Sequence, residues 1–452
     1  MSHGTVERNQ FRSRLLWCNV GQDGILRGGW QPALLGCAPK PMKRLLIVAA
    51  TTGYQTRMFA DAARRLAFEA VLATDRCHVL EDPWGDRAIP IRFDDPHSAA
   101  EAIAQAPPFD GIIAVGDRPT LVAALAAARL SIPYNSPTSA EAARNKFLSR
   151  QRFEAAGLPV PKFFRVPLGQ HPAQAAQTAP YPCVLKPLGL SASRGVIRAN
   201  NPTEFTAAFH RIEALLARPE IRAMRDDQDR YIQIESFLPG QEFAIEGLLT
   251  AGRLTTLAVF EKPDPLDGPF FEETIYITPP RLNPSPLIAA TERAVAALGL
   301  TQGPIHAELR YDGRTARVLE VAARPIGGLC AKALRFTGGL PLEELLLRHA
   351  AGEDVSHIQL EPGASGVMMI PIAREGVYEG VDGLEAARAI PGVVDIDITA
   401  KTGHALEPLP EGCTYLGFIF ARGRDTTEVE QSLRAAHSAL RFHIAPTLQV
   451  MR

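Results

Sequence analysis

The stretch Tyr181–Arg198, YPCVLKPLGLSASRGVIR, decides how the rest of the chain is read. Cys183, Val184 and Leu185 form a short apolar run, the pattern of a buried strand, and the run ends on Lys186. A loop containing Gly189, Ser191, Ser193 and Gly195 follows, and a second strand opens at Val196. Small residues let backbone N–H groups and Ser hydroxyls approach an anion closely, while a lysine supplies a point charge. The order is not that of a Walker A loop, which runs G-x-x-x-x-G-K-S/T from a strand into a helix. Here the lysine precedes the glycines and strands lie on both sides. Two readings fit this stretch alone: a flexible hairpin folded over nucleotide phosphates, and an ordinary Gly/Ser hairpin.

Three downstream segments supply what a phosphate-binding hairpin would need. The first, Tyr231–Glu246 (YIQIESFLPGQEFAIE), reads as a strand, a tight Pro239-Gly240 turn and a second strand carrying Glu242. The others are Gly303–Arg310 (GPIHAELR) and Val318–Gly328 (VLEVAARPIGG). The turn Asp312-Gly313 makes these two an antiparallel hairpin with Glu308 and Glu320 on its arms, at similar distances from the turn. Both acids have apolar neighbours, and a carboxylate in an apolar strand is costly unless a cation meets it. Mg²⁺ suits such a pair, because it takes hard oxygen ligands and shares one or two carboxylates with substrate phosphates. The guanidinium fork of Arg324 fits a carboxylate or acyl phosphate bidentately, and Gly327-Gly328 can present N–H groups to the same anion. Plainer readings remain: Glu235 and Glu242 as solvent-facing residues of alternating strands, and Arg324 as one half of a structural ion pair.

Taken in order, the four motifs resemble the ATP-grasp superfamily, and within it the carboxylate–amine ligases typified by L-amino acid ligases. The likeness runs from about Met42 to the end of the chain. It implies that Lys146 and Lys186 meet nucleotide phosphates beneath Ser191, Ser193 and Gly195. It also implies that the main chain around Glu235, Ser236 and Leu238 meets the adenine edge and that Glu242 holds the ribose. Glu308 and Glu320 would bind the metal, Mg²⁺ or in its place Mn²⁺. Arg324 and Lys186 would be catalytic, with Gly327 and Gly328 beside Arg324 on the substrate. The family has an asparagine two residues after the second glutamate; Ala322 stands there, which puts one ligand in doubt. In the acidic, proline-rich Glu261–Pro284 stretch, Glu273 is the candidate partner for a substrate ammonium group, against the plainer reading of Lys262, Glu272 and Glu273 as solvated loop charges. His306 receives no catalytic role.

Bulk properties agree with an ordinary soluble protein. The 452 residues carry a net charge of −1, with 46% hydrophobic and 21% charged residues. That length suggests about three domains, and the charge offers no footprint for nucleic acid or an anionic membrane. No apolar run nears the ~20 residues that span a bilayer. The six cysteines are scattered without C-x-x-C pairs, which favours free thiols and a cytoplasmic location.

The expected fold is α/β, in five segments. Residues 1–41 lack periodicity and read as a disordered extension without a secretory signal. Residues 42–135 alternate strands and helices as a Rossmann-like domain. Residues 136–232 hold a helical linker and the first ATP-grasp subdomain, residues 233–356 the second subdomain with the metal site, and residues 357–452 a small C-terminal α/β domain. The expected reaction is ATP-dependent joining of a carboxylate to an amine through an acyl phosphate, releasing ADP and phosphate. The substrates would be small molecules, amino acids by resemblance and a dipeptide the product, and a homodimer is left open. The alternatives are a biotin-carboxylase-like enzyme and a non-catalytic nucleotide-binding module.

Overall fold

A computed structural model describes residues 42–76 and 82–446. The extension expected over residues 1–41 lies outside the described residues. The first sheet is parallel, in the order β3-β2-β1-β4, from β1 (Arg44–Ala49), β2 (Glu69–Thr74), β3 (Ala88–Pro90) and β4 (Gly111–Val115). Helices Tyr54–Arg65 and Pro96–Ala104 connect its strands, and helix Pro119–Leu130 follows the last of them. A parallel sheet covered on both faces requires continuous apolar strands rather than alternating ones. Leu45 to Ala49 meet that requirement, at 0–1% exposure. Each such Leu, Ile or Val contributes about 1.5–3 kcal/mol by leaving water. This is the Rossmann-like unit that the alternating pattern predicts.

Two short helices, Pro137–Arg144 and Lys146–Ala155, follow in place of one continuous helical connection. Asn145 breaks them with an extended backbone, and its side chain caps the second by accepting from the amides of Phe147 and Leu148, each at 3.1 Å. Lys146 is therefore the first residue of a helix and faces the cleft instead of lying on a mid-helix solvated face.

An antiparallel sheet comes next, ordered β5-β8-β6-β7: β5 (Phe163–Pro167), β6 (Cys183–Pro187), β7 (Ile197–Ala199) and β8 (Tyr231–Ser236). Helix Pro202–Leu216 backs it with Phe205, Phe209 and Ile212, all fully buried. The loop of the opening motif joins β6 to β7, which pair directly.

The second ATP-grasp subdomain and the C-terminal part share one eight-stranded sheet, ordered β13-β12-β9-β10-β11-β14-β18-β16. Its strands are β9 (Gln241–Thr250), β10 (Arg253–Glu261), β11 (Ile275–Thr278), β12 (Gly303–Tyr311), β13 (Ala316–Ala322), β14 (Ala364–Ile370), β16 (Val393–Ile398) and β18 (Gly417–Gly423). A separate small sheet consists of β15 (Gly376–Asp382), β17 (Ala405–Leu406) and β19 (Arg441–Ala445). β15 and β19 are partly exposed and short of apolar runs, which hides them from a pattern-based reading.

One expectation of local pairing fails. Strands β8 and β9 read as a hairpin about Pro239-Gly240, but β8 belongs to the four-stranded sheet and β9 to the eight-stranded one. The Pro-Gly segment is the crossing between subdomains. Gly240 lies at φ +114°, and a Cβ there would sit 2.5 Å from the Tyr311 carbonyl, so no larger residue fits the crossing.

Candidate active site

A cavity of about 660 Å³ lies among these parts, and residues from all of them line it. Lys146, Lys186, Ser191, Ser193, Glu235, Ser236, Leu238, Glu242, Glu273, Glu308, Glu320, Arg324, Gly327 and Gly328 all face it. Gly195 does not. Its φ is +73°, a Cβ would meet the Pro187 side chain at 2.7 Å, and its amide donates to the Pro410 carbonyl at 2.7 Å. This glycine is needed for packing beneath the loop, and its N–H points at the C-terminal part of the chain.

The positive side of the cavity is built around Glu235. Its carboxylate, 3% exposed, accepts from Arg150 Nε at 2.6 Å and pairs with Lys186 Nζ at 2.6 Å. Arg150 also donates to the Leu319 carbonyl at 2.7 Å. Burial works to raise the Glu235 pKa, and the two cations overcome it, down to about 2. The same burial lowers the Lys186 pKa, with Glu235 opposing. The Glu235 side chain is thus an anchor for Lys186, while Ser236 and Leu238 carry the main chain along the cavity. Lys146 donates to the Leu190 carbonyl at 2.8 Å and stands 3.7 Å from Glu320, which links this second lysine to the loop and to the β12–β13 hairpin.

The negative side is built around Lys262. Two readings were open for Lys262 and Glu273, contact with substrate and solvated loop charge, and their burial removes the second. Lys262 is 2% exposed. Its ammonium donates to Glu242 at 2.7 Å, to Glu308 at 2.9 Å and to Glu273. The lysine is invisible to periodicity because it follows β10 directly, where the long loop begins. Burial opposes its charge, yet the three carboxylates raise its pKa well above the ordinary value. For Glu273, burial raises the pKa to about 7, Lys262 opposing and the neighbouring carboxylates adding. Glu242 also accepts from Arg310 Nε at 3.2 Å.

Glu308 and Glu320 are direct cross-strand partners in the β12–β13 register. Among the described residues, one group of three carboxylates has oxygens within 4.8 Å of one another, Glu242, Glu273 and Glu308, and it shares Glu308 with the expected pair. Lys262 already bonds all three, so that trio needs no further cation. The Glu308–Glu320 pair faces the cavity, with Lys146 3.7 Å from Glu320 and the Arg324 charge also acting on it. Two opposed carboxylates with hard oxygens fit a divalent ion there.

Arg324 is not free. Its fork grips Asp117, just past β4, with Nε–Oδ1 at 3.0 Å and Nη2–Oδ2 at 3.1 Å. Burial acts against the charge on Asp117, and Arg324 outweighs it to hold the carboxyl below its ordinary range. Glu246, 1% exposed, joins His306 Nδ1 on one oxygen and accepts from the Ile326 amide at 3.1 Å on the other, fixing the segment before Gly327. Asp117, Arg150 and Glu246 carried no signal in the sequence, because their partners are 207, 85 and 60 residues away.

A parallel sheet, two antiparallel sheets joined by the Pro239-Gly240 crossing, and a lysine–carboxylate cavity among them have the arrangement of an ATP-grasp protein. Residues 179–333 match the ATP-grasp domain family, and residues 368–445 match the L-amino acid ligase C-terminal domain 2. The chain thus carries an ATP-grasp domain and the C-terminal domain of the L-amino acid ligases. The crystal structure of an L-amino acid ligase from Bacillus licheniformis aligns at TM-score 0.76 and 28% identity, over 90% of this chain and 99% of that one. An uncharacterized protein of Sinorhizobium fredii is 22% identical over 90% of this chain and 84% of its own length. Alanine–anticapsin ligase of Bacillus subtilis is 28% identical over 240 residues, half of each protein. Among the described residues, no helix is long and apolar enough to cross a membrane.

Proposed function

We propose that this chain joins a carboxylate to an amine at the expense of ATP, with amino acids as substrates. The observation that carries the reading is the convergence of Lys146, Lys186, Glu308, Glu320 and Arg324 on one cavity, each from a different element. The resemblance to an L-amino acid ligase and to an enzyme named for joining alanine to anticapsin supports this choice.

In this reading the substrate carboxylate attacks the γ-phosphate, the β–γ bond breaks, and ADP leaves an acyl phosphate behind. The amine then attacks the acyl carbon and phosphate departs, so an amide, ADP and phosphate form in equal amounts. Phosphoryl transfer asks the protein for placement and charge compensation rather than a nucleophile. Lys186, held by Glu235, and Lys146 take the phosphate charge. Mg²⁺ bound by Glu308 and Glu320 would neutralise charge on the β- and γ-phosphates. Arg324 can meet the acyl oxygen or a substrate carboxylate if the incoming anion replaces Asp117 on its fork. The amine must lose a proton, and Glu273, whose pKa burial raises to about 7, is a carboxylate of the cavity suited to take it.

An ADP-release screen of amino acid pairs, with amide detection, tests the assignment. A matched pair should release ADP and amide in equal amounts, and hydroxylamine should trap the acyl phosphate as a hydroxamate. ADP formed only with bicarbonate and biotin, with no amide or hydroxamate from any amino acid, would establish the carboxylase alternative instead.

A further inference from the structure

The segment between β17 and β18 belongs to the C-terminal part of the chain, yet it clasps the phosphate loop. The Pro410 carbonyl accepts from the Gly195 amide at 2.7 Å, and the Glu411 carbonyl from Arg194 Nε at 2.6 Å. Both Glu411 carboxylate oxygens are taken by Arg211, one of them at 2.8 Å. Glu407 accepts from Arg218 at 2.6 and 2.9 Å. Arg211 lies on helix Pro202–Leu216 and Arg218 just beyond it, so both stand on the element that backs the phosphate-loop sheet. Within the segment, a Cβ at Gly412 would lie 1.8 Å from the Glu407 carbonyl, which marks a tightly folded turn. The far end of the same segment, Cys413 and Tyr415, lines the cavity. Tyr415 packs on Phe418 at 5.9 Å, and the Phe418 ring is the atom group that a Cβ at Gly328 would meet, at 3.2 Å.

We propose that Glu407 and Glu411 are positioning residues for the nucleotide loop, and that the segment Glu407–Tyr415 couples the acyl-binding side of the cavity to closure over the nucleotide. One end holds Arg194 and Gly195 by main-chain bonds and the supporting helix by two Arg–carboxylate forks. The other end touches the wall where the acyl group would sit. Bidentate pairs fix direction as well as distance. They are also partly exposed, with Arg211 at 46% and Glu407 at 43%, so each is weak. A clasp of weak bonds suits a loop that must open to release ADP. The inference rests on the nucleotide-binding half of the ligase reading.

The test uses the full chain and the release rate of a fluorescent (methylanthraniloyl) ADP with Mg²⁺, measured by stopped flow. Glu411→Arg places two guanidinium groups together and should speed release about three- to ten-fold while leaving the melting temperature within a few degrees. The exchanged pair Arg211→Glu/Glu411→Arg should return the rate to within about two-fold of wild type, which a merely structural role would not require. Should Glu411→Arg fold poorly, the isosteric Glu407→Gln/Glu411→Gln variant carries the same expectation. ADP formed per hydroxamate should rise in parallel, because a loosened loop admits water to the acyl phosphate. Unchanged release from folded Glu411→Arg, or an exchanged pair no better than the single variant, overturns the clasp. Failure of the wild-type chain to bind the probe at all would instead overturn the nucleotide reading beneath it.

Discussion

Lys186 and Lys262 are both buried ammonium groups at the same cavity, and their surroundings are opposite. Lys186 shares one carboxylate, Glu235, with Arg150, so the cluster carries a surplus of positive charge. Lys262 stands against Glu242, Glu273 and Glu308, with Arg310 also on Glu242 and His306 beside Glu308. The surplus at Lys186 suits a polyphosphate, whereas the carboxylates around Lys262 are met by cations of the chain itself. Burial strengthens both arrangements, because an unmatched charge in a dry site costs far more than in water.

Removing Lys262 should break this contrast most severely. Lys262→Met leaves three crowded carboxylates without their shared cation, a change in the class that costs about 3–5 kcal/mol. Thermal unfolding should show a drop of many degrees, and Mg²⁺ or Mn²⁺ should recover more of it in the variant than in wild type. A variant as stable as wild type, and indifferent to metal, would mean that protons rather than Lys262 keep the cluster together.

Glu320→Gln should lower ligase turnover by about two orders of magnitude or more, since it removes one of two charges offered to the metal. Manganese titration followed by electron paramagnetic resonance, with ADP present, should show weakened binding. Stability should change little, because Glu320 pairs directly with Lys146 alone among the described residues, at 3.7 Å.

On the positive side, Lys186→Met should weaken ATP binding about ten- to hundred-fold by calorimetry, as expected for loss of a charged partner in a dry site. Arg150 stays on Glu235, so the variant should remain folded with a modest loss in melting temperature. ATP affinity equal to wild type would remove Lys186 from the phosphate site.

The smallest effect concerns a carboxylate that makes no direct ion pair among the described residues, although Arg144 and Arg118 act on it from a distance. Asp229 lies under the loop, where a Cβ on Gly189 would approach its Oδ1 to 3.1 Å, and this oxygen has no hydrogen-bond partner among the described residues. Burial raises its pKa from 3.8 to about 7. The fold prefers the protonated acid, so its stabilising contribution is complete below pH 3.8 and is lost as pH rises through about 7. Asp229→Asn should therefore melt a little higher than wild type at pH 8, with the gap closing toward pH 5. A gap independent of pH would place the effect in packing rather than ionisation.

How much of this was legible in the sequence depends on the distance over which each residue finds its partner. The run CVLKP, the Gly/Ser loop and the hairpin holding Glu308 and Glu320 are local patterns, and the register pairs those two acids across adjacent strands as the turn implied. The parallel sheet was legible for the same reason, because strands buried on both faces must be apolar throughout. The burial of Lys262 and Glu273 was not legible, because a charged residue in an irregular loop has no periodicity to report it. The Pro239-Gly240 segment was misread because a hairpin turn and a crossing between sheets use the same two residues.

The sequence alone determined which chemistry is present: lysines and an arginine for anions, and paired acids for a divalent ion, in the order of an ATP-grasp ligase. Only the tertiary structure decided how those charges are apportioned. It assigned Glu235 to Lys186 and Arg150, three carboxylates to Lys262, Asp117 to Arg324, and the Gly195 amide to a segment more than two hundred residues away. The physical reason is that ionic pairing in a buried site is a choice among many candidates of like charge. That choice is made by the packing that brings distant strands into one cavity.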